Sequence, residues 1–149
     1  MGDFEWAYRR NVLSTFRLIQ LCAPHMRRAG GGAVLNISSM AGENTNSVMS
    51  SYASSKAAVN HLTCNIAYDL GRKDIRANAI APGGIKTHAL ATVLTPEIER
   101  RRVAGTPLAQ LGQPGDMARW GAVSVRTAAP LTSSNCPATS TSRCASSAS

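Results

Sequence analysis

Apolar residues recur every three or four positions in two long stretches of the chain, residues 4–28 and 52–70. This is the period of an amphipathic helix, and glycines follow both stretches, as they do at many helix ends. Each stretch is followed by a short apolar run, 33–37 and then 75–80, and the first of these predicts a strand buried on both faces. The order helix, strand, helix, strand predicts an α/β fold with a parallel sheet and crossover helices.

The pattern becomes irregular beyond the second predicted strand. A short helix is predicted over 95–103, where Thr95 is a suitable cap and a proline and a glutamate follow it. From residue 117 onward no acidic residue occurs, and Ser, Thr, Ala and Pro dominate the end of the chain without periodicity. A segment of this composition buries too little apolar surface to order itself. We therefore expect one domain over 1–116 and an irregular, disordered or frameshifted tail over 117–149.

Composition and charge exclude several classes of protein. The net charge of +8 comes from short, scattered groups of basic residues without interleaved aromatic residues, which indicates a solvated surface rather than a nucleic-acid site. No apolar run has the roughly 18 residues of a membrane span, and the start of the chain is too polar for a secretory signal. The four cysteines and three histidines lack the spacing of metal ligands. We expect a cytoplasmic protein without a metal, membrane or nucleic-acid partner.

Tyr52 and Lys56 lie four residues apart on the second predicted helix, so both side chains project from one face. An ammonium beside a phenol favours the phenolate, and such a pair can move a proton onto or off a carbinol oxygen. The spacing alone is weak evidence, because a packed tyrosine beside a solvated lysine has the same pattern. Ser39 strengthens it, since this residue follows a predicted strand at its carboxyl end, where open α/β sheets bind their ligands.

These residues belong to a longer pattern. Together with the segments 36–39 and 78–83, Tyr52 and Lys56 form an arrangement that resembles the short-chain dehydrogenase/reductase family. The resemblance implies a Rossmann-like, doubly wound parallel sheet and reversible, nicotinamide-dependent hydride transfer between a secondary alcohol and a ketone. It also implies that Ser39 positions the substrate oxygen, Tyr52 donates or accepts the proton, and Lys56 binds the nicotinamide ribose.

The same resemblance implies supporting roles for other residues. Asn11, in the first long helix, matches the asparagine that completes the family's catalytic tetrad through a water-linked proton relay, and a surface amide is its alternative interpretation. The segment after the second strand resembles the one that closes over the nicotinamide, where backbone groups and a threonine hydroxyl hold the carboxamide. Its candidate cofactor-binding residues are Pro82, Gly83, Ile85 and Thr87. The stretch 88–106 then corresponds to the variable substrate lid.

Two further stretches, 39–44 and 95–99, resemble the branch of this family that acts on the 7α-hydroxyl of bile acids. The implied substrate is a steroid or another small secondary alcohol, and the implied cofactor is NAD, with NADP not excluded. A fragment of a 3-oxoacyl-carrier-protein reductase is the alternative within the family. Intact relatives are commonly homotetramers that associate through their two long helices.

The chain departs from the family pattern at both ends. Family members begin with a strand and a glycine-rich turn, T-G-x-x-x-G-x-G, and end with an apolar helix and a last strand, and the sequence matches none of these. We therefore expect a partial fold that lacks the N-terminal βαβ half and the C-terminal strand. One choice of codons for 122–127, read one base later, resembles the missing helix, so a frameshift near residues 118–122 is a hypothesis. The rival hypothesis for the whole chain is a non-catalytic truncated product that only self-associates.

Overall fold

The computed structural model of the protein describes residues 2–45, 48–92, 94–106 and 108–127, apart from the side chains of residues 89, 126 and 127. Two parallel strands and the helices around them confirm the predicted α/β class. In chain order the α-helices and strands are α1 (Gly2–Tyr8), α2 (Ser14–Arg28), β1 (Gly32–Ile37), α3 (Ser50–Gly71), β2 (Ile75–Ile80), α4 (His88–Ala91), α5 (Pro96–Ala104) and α6 (Pro114–Thr127).

The first long helix is confirmed, with one local change. A π-helical turn over Arg9–Leu13 joins α1 to α2 without a break. A π turn holds one residue more than an α turn, so it shifts the faces of the helix on either side of it, and such turns are frequent at functional sites. The turn contains Asn11, one of the candidate site residues.

The sheet consists of β1 and β2, paired in parallel from Gly32 opposite Ile75 to Ile37 opposite Ile80. The second strand has its predicted bounds, and the first begins one residue early. Because successive side chains of a strand point to opposite faces, each face of the sheet is lined by alternate residues of both strands. Helices lie against both faces, as a doubly wound sheet requires.

One face of the sheet packs against α2 and α3. The core on this side contains Ile19, Ile66 and Ala77, with Val34, Leu62, Ala67 and Leu70 packed against it. Leu35 and Asn78 are the next pair in the register and therefore lie on the opposite face, against α6. There the Asn78 amide donates a hydrogen bond of 3.4 Å to the carbonyl of Ser124. The sheet is thus held between two layers of helices.

The prediction that the first strand is buried on both faces is wrong. Asn36 is its one buried residue, and 54% of the Ile37 surface is exposed. The reason is that β1 pairs with β2 along one edge, and within the described residues no strand lies along its other edge.

The prediction of an irregular segment from residue 117 is wrong for the part that the structure describes. Helix α6 continues to Thr127, and residues 128–149 lie outside the described ranges. Its start is capped reciprocally, since the Asp116 carboxylate accepts from the Gln113 amide at 2.8 Å and the Gln113 carbonyl accepts from the Asp116 amide at 2.9 Å. That bond and the neighbouring Arg119 hold the pKa of Asp116 below its usual range. Capping and contact with the sheet order a stretch whose composition is unfavourable.

None of the helices in the described part of the chain combines the length and the hydrophobicity that crossing a bilayer requires.

Candidate active site

The carboxyl ends of β1 and β2 open into a cavity of about 700 Å³. Its walls come from the loops that follow both strands, the first turns of α3, one residue each of α4 and α5, and two residues of α6. The cavity brings together all of the residues predicted from the sequence except Asn11, namely Ser39, Tyr52, Lys56, Pro82, Gly83, Ile85 and Thr87. Residues from four separate parts of the chain therefore meet where parallel α/β sheets bind ligands.

The loop that carries Ser39 is fixed by bonds that continue the strand pairing. The Ser38 amide donates to the carbonyl of Ile80 at 2.7 Å, and the Met40 amide donates to that of Pro82 at 3.0 Å. These bonds hold the loops after β1 and β2 side by side. The Ser39 hydroxyl accepts from the Ala41 amide at 3.2 Å, which leaves its hydrogen free to donate towards a ligand oxygen.

The side chain of Lys56, a residue of α3, reaches the end of β1, where its Nζ donates to the carbonyl of Ile37 at 2.8 Å. The same nitrogen is 5.7 Å from the centre of the Tyr52 ring, so the ammonium and the phenol share one side of α3 as their spacing predicts. Burial lowers the pKa of Lys56 from its ordinary value, because the charged form loses hydration. Tyr52 lines the cavity, and 36% of its surface is exposed.

Asn11 lies outside the cavity just described. It lines an adjoining cavity of about 420 Å³, which shares Lys56 with the first. The Asn11 amide donates to the hydroxyl of Ser55 at 2.8 Å, and that hydroxyl donates to the carbonyl of Tyr52 at 2.7 Å. The π-helical turn is thereby bonded to the helix that carries both catalytic candidates.

Ser55 is a residue that sequence reasoning missed. It is completely buried, and its hydroxyl accepts from Asn11 and donates to Tyr52, so it connects α1–α2 with α3. The sequence shows only that small residues dominate the first turns of α3, a pattern that indicates close packing. A serine among these small residues also has a hydroxyl, and this is the feature of the sequence from which its hydrogen bonds could have been predicted.

The segment after β2 is held by a second set of backbone bonds. The Gly112 amide donates to the carbonyl of Gly84 at 3.0 Å, and the Lys86 amide donates to that of Gly112 at 2.8 Å. Thr87 caps α4, because its hydroxyl oxygen accepts from the Leu90 amide at 3.2 Å. The hydroxyl hydrogen of Thr87 is left for a ligand.

These residues fit the nicotinamide end of a dinucleotide. A ribose diol needs hydrogen-bonding partners such as the ammonium of Lys56 and the phenol of Tyr52, and a carboxamide needs partners such as the Thr87 hydroxyl. Open space surrounds the α-carbon of Gly83, where an added β-carbon would meet no atom within 4 Å. A flat ring can therefore approach the backbone at this turn.

Replacing Ser55 with alanine is expected to lower the free energy of unfolding by about 1–3 kcal/mol, because the Asn11 amide loses its buried acceptor. Urea denaturation monitored by circular dichroism measures this change in the free energy of unfolding. The matched control is Ser54→Ala, since within the described residues the Ser54 hydroxyl bonds to carbonyls of its own helix, those of Ser50 and Ser51. Equal effects of the two substitutions would contradict the connecting role of Ser55.

Comparison with known proteins agrees with this geometry. Residues 1–133 match the family described as Enoyl-(Acyl carrier protein) reductase. The 7α-hydroxysteroid dehydrogenase of Escherichia coli K12 is 58% identical over 118 residues, which cover 79% of this chain and 46% of that protein. A solved 7α-hydroxysteroid dehydrogenase, in complex with NADH and 7-oxo glycochenodeoxycholic acid, is 54% identical with a TM-score of 0.82, covering 84% of this chain and 49% of the other.

A short-chain type dehydrogenase/reductase from Mycobacterium ulcerans is also similar, at 33% identity and a TM-score of 0.78 over 85% of this chain and 48% of the other. The fold and the position of the site define a Rossmann-like α/β protein. The chain belongs to the short-chain dehydrogenase/reductase family. It spans about half the length of the curated relatives that it matches, such as 46% of the protein from E. coli.

Proposed function

We propose that the chain carries the proton-transfer part of a nicotinamide-dependent dehydrogenase, which interconverts an alcohol and a ketone at position 7 of a bile acid. The observation that carries this proposal is the meeting of Ser39, Tyr52 and Lys56 in one cavity at the carboxyl ends of the strands. The cofactor is NAD by similarity to the NADH complex, and NADP is the alternative.

In the proposed oxidation, the Ser39 hydroxyl donates a hydrogen bond to the substrate oxygen and orients the carbinol carbon. The Tyr52 phenolate removes the hydroxyl proton, and the Lys56 ammonium stabilises that phenolate before transfer. A bound nicotinamide supplies the acceptor for the hydride that leaves the same carbon. In the reverse direction Tyr52 donates the proton to the oxygen of the ketone.

Proton exchange with solvent is proposed to pass through the second cavity. Lys56 lines both cavities, and the second also contains Asn11 and Thr15. The Thr15 hydroxyl donates to the Asn11 carbonyl at 2.8 Å, and the Asn11 side chain is held by Ser55. Asn11 is thus well fixed for a water-linked relay, which fits the role implied by the family resemblance.

A steroid is the proposed substrate because both the cavity and the comparisons favour it. About 700 Å³ falls within the usual range of small-molecule sites, about 300–1,000 Å³. Much of the wall is apolar, through Met40, Met49, Leu90 and Met117. The second candidate, a 3-oxoacyl-carrier-protein reductase, is supported by a solved enzyme of that kind from Brucella melitensis, at 36% identity and a TM-score of 0.74 over 79% of this chain and 46% of the other. The identity to the solved 7α-hydroxysteroid dehydrogenase is higher, at 54%, so a steroid is the preferred substrate.

The proposed assembly is a cytoplasmic homotetramer formed through the long helices. Large apolar side chains are exposed on the first of these helices, including Phe16 at 42% and Leu21 at 52%, both on α2. Burial of such side chains between subunits is favourable. Analytical ultracentrifugation tests this proposal, and a purely monomeric species at micromolar concentration contradicts it.

A hybrid enzyme provides the test of function. In it the 118 matched residues of this chain replace their counterparts in the 7α-hydroxysteroid dehydrogenase of E. coli. We expect the hybrid to oxidise cholic acid with NAD, as NADH absorbance records. Reduction of a 3-oxoacyl thioester without oxidation of cholic acid would favour the second candidate.

The chain by itself is expected to show no saturable binding of NADH, because its sequence has no glycine-rich turn for the pyrophosphate. Titration of NADH fluorescence with the 149-residue chain measures this. Absence of binding agrees with a non-catalytic product, whereas saturable binding would show that the nicotinamide end alone suffices and would overturn this expectation.

A further inference from the structure

Helix α5 brings a cation to the candidate active site. Its residue Arg102 lines the cavity that contains Ser39 and Tyr52. An exposed ion pair links the helix to the segment after β2, since the Glu99 carboxylate lies 3.3 Å from the Nζ of Lys86. Glu99 and Arg102 are three residues apart, so they share one face of α5. The ion pair therefore lies on the same side of the helix as the arginine that lines the cavity.

The guanidinium of Arg102 has no acidic partner within the part of the chain that the structure describes. Glu99, the carboxylate nearest to it on its own face, is taken by Lys86. The other acidic residue of α5, Glu97, pairs with Arg100 at 2.8 Å. Of the arginines on this helix, Arg102 is thus the one that faces the cavity with its charge uncompensated.

The walls of the cavity are positively charged. Its described lining residues include two cations, Lys56 and Arg102, and neither Asp nor Glu. Lys56 is bound to the carbonyl of Ile37 and lies beside Tyr52, so its charge serves the reacting end. The charge of Arg102 remains for another part of the ligand. Arginine is well suited to this, because its planar guanidinium binds carboxylates with two parallel hydrogen bonds.

We propose that Arg102 binds the acidic side chain of a steroid substrate, while Ser39 and Tyr52 engage its ring hydroxyl. The identity of the ligand as a steroid acid rests on the proposed function. A bile acid has the required chemistry, since it joins an apolar ring system with hydroxyl groups to a carboxylate at the end of a flexible chain. Arg102 is a binding residue that selects charged over neutral steroids.

The test compares the affinity of the 149-residue chain for cholate and for its uncharged methyl ester by isothermal titration calorimetry. The unaltered chain is expected to bind cholate more tightly than the ester. In Arg102→Gln, we expect the affinity for cholate to fall by about three- to tenfold, as for loss of one charge-assisted contact that is partly open to solvent, with little change for the ester.

Arg101→Gln is the matched control, because Arg101 is exposed on the same helix, as Arg102 is, but does not line the cavity. Its substitution removes the same charge and is expected to leave both affinities unchanged. Three results would overturn the proposal: an equal loss for cholate and ester, an equal effect of the two substitutions, or no binding of cholate by the unaltered chain. The titration requires no catalysis. An inactive hybrid enzyme would therefore contradict the proposed function, while the preference for the charged steroid is judged from the titration alone.

Discussion

Replacing Tyr52 with phenylalanine is expected to lower the kcat of the hybrid enzyme by at least about 10²–10⁴-fold, the usual contribution of a general acid or base. Phenylalanine keeps the ring and removes only the hydroxyl that is proposed to exchange the proton. Binding should therefore persist while the chemical step fails. The measurement is NADH formation from cholic acid under saturating substrate.

Tyr68→Phe provides the control for this experiment. Tyr68 is on the same helix, α3, and its side chain is 74% exposed, so loss of its hydroxyl should change kcat by less than about twofold. Unfolding by urea should have the same midpoint in both variants. Retained activity in Tyr52→Phe would refute the role of this residue as the proton donor, whatever the remaining contacts of the site.

The parts of the fold that follow from local patterns could be predicted from the sequence. The run 75–80 is bounded by polar residues before it and Pro82 after it, and its predicted bounds are those of β2. Tyr52 and Lys56 share one side of α3 because a four-residue spacing fixes their relation on any helix. Ser39 follows a strand directly, so topology alone locates it near the ligand crevice.

The features that could not be predicted depend on contacts between distant parts of the chain. Asn11 and Ser55 are separated by 44 residues, and nothing near either one indicates that they bond. The pair between Lys86 and Glu99 likewise joins segments 13 residues apart, and nothing near Arg102 in the sequence indicates that it lines the cavity. Helix α6 continues past residue 117 because it is capped and packs on the sheet, which its own composition does not reveal.

The described contacts hold the candidate proton-transfer groups of this chain from within. The proposed proton-transfer groups are fixed by the bonds of Lys56 to β1 and of Asn11 to Ser55. The sequence offers no turn for the cofactor phosphates, which carry much of the binding of a dinucleotide. A hybrid enzyme supplies that turn while testing the side chains that belong to this chain.

Gly42 is the residue whose substitution should most disturb both fold and site. It ends the short helical turn that follows Ser39, and this turn packs on the backbone of α3. A β-carbon on Gly42 would lie 2.6 Å from the amide nitrogen of Ala57 and 2.7 Å from the carbonyl carbon of Lys56. Both are backbone atoms, so neither can move aside without displacing the helix that carries Tyr52.

Gly42→Ala is therefore expected to lower the free energy of unfolding by about 1–3 kcal/mol, the usual cost of overpacking. It should also lower the kcat of the hybrid by about 10²-fold, because a shift of about 1 Å between Ser39 and Tyr52 spoils the reacting geometry. Urea denaturation and NADH formation measure the two effects. Gly115→Ala is the control, since a β-carbon there meets no atom within 4 Å, and within helix α6 it should leave stability unchanged or raise it by up to about 1 kcal/mol. If Gly42→Ala matched this control in both assays, the turn would not be what holds Ser39 against α3.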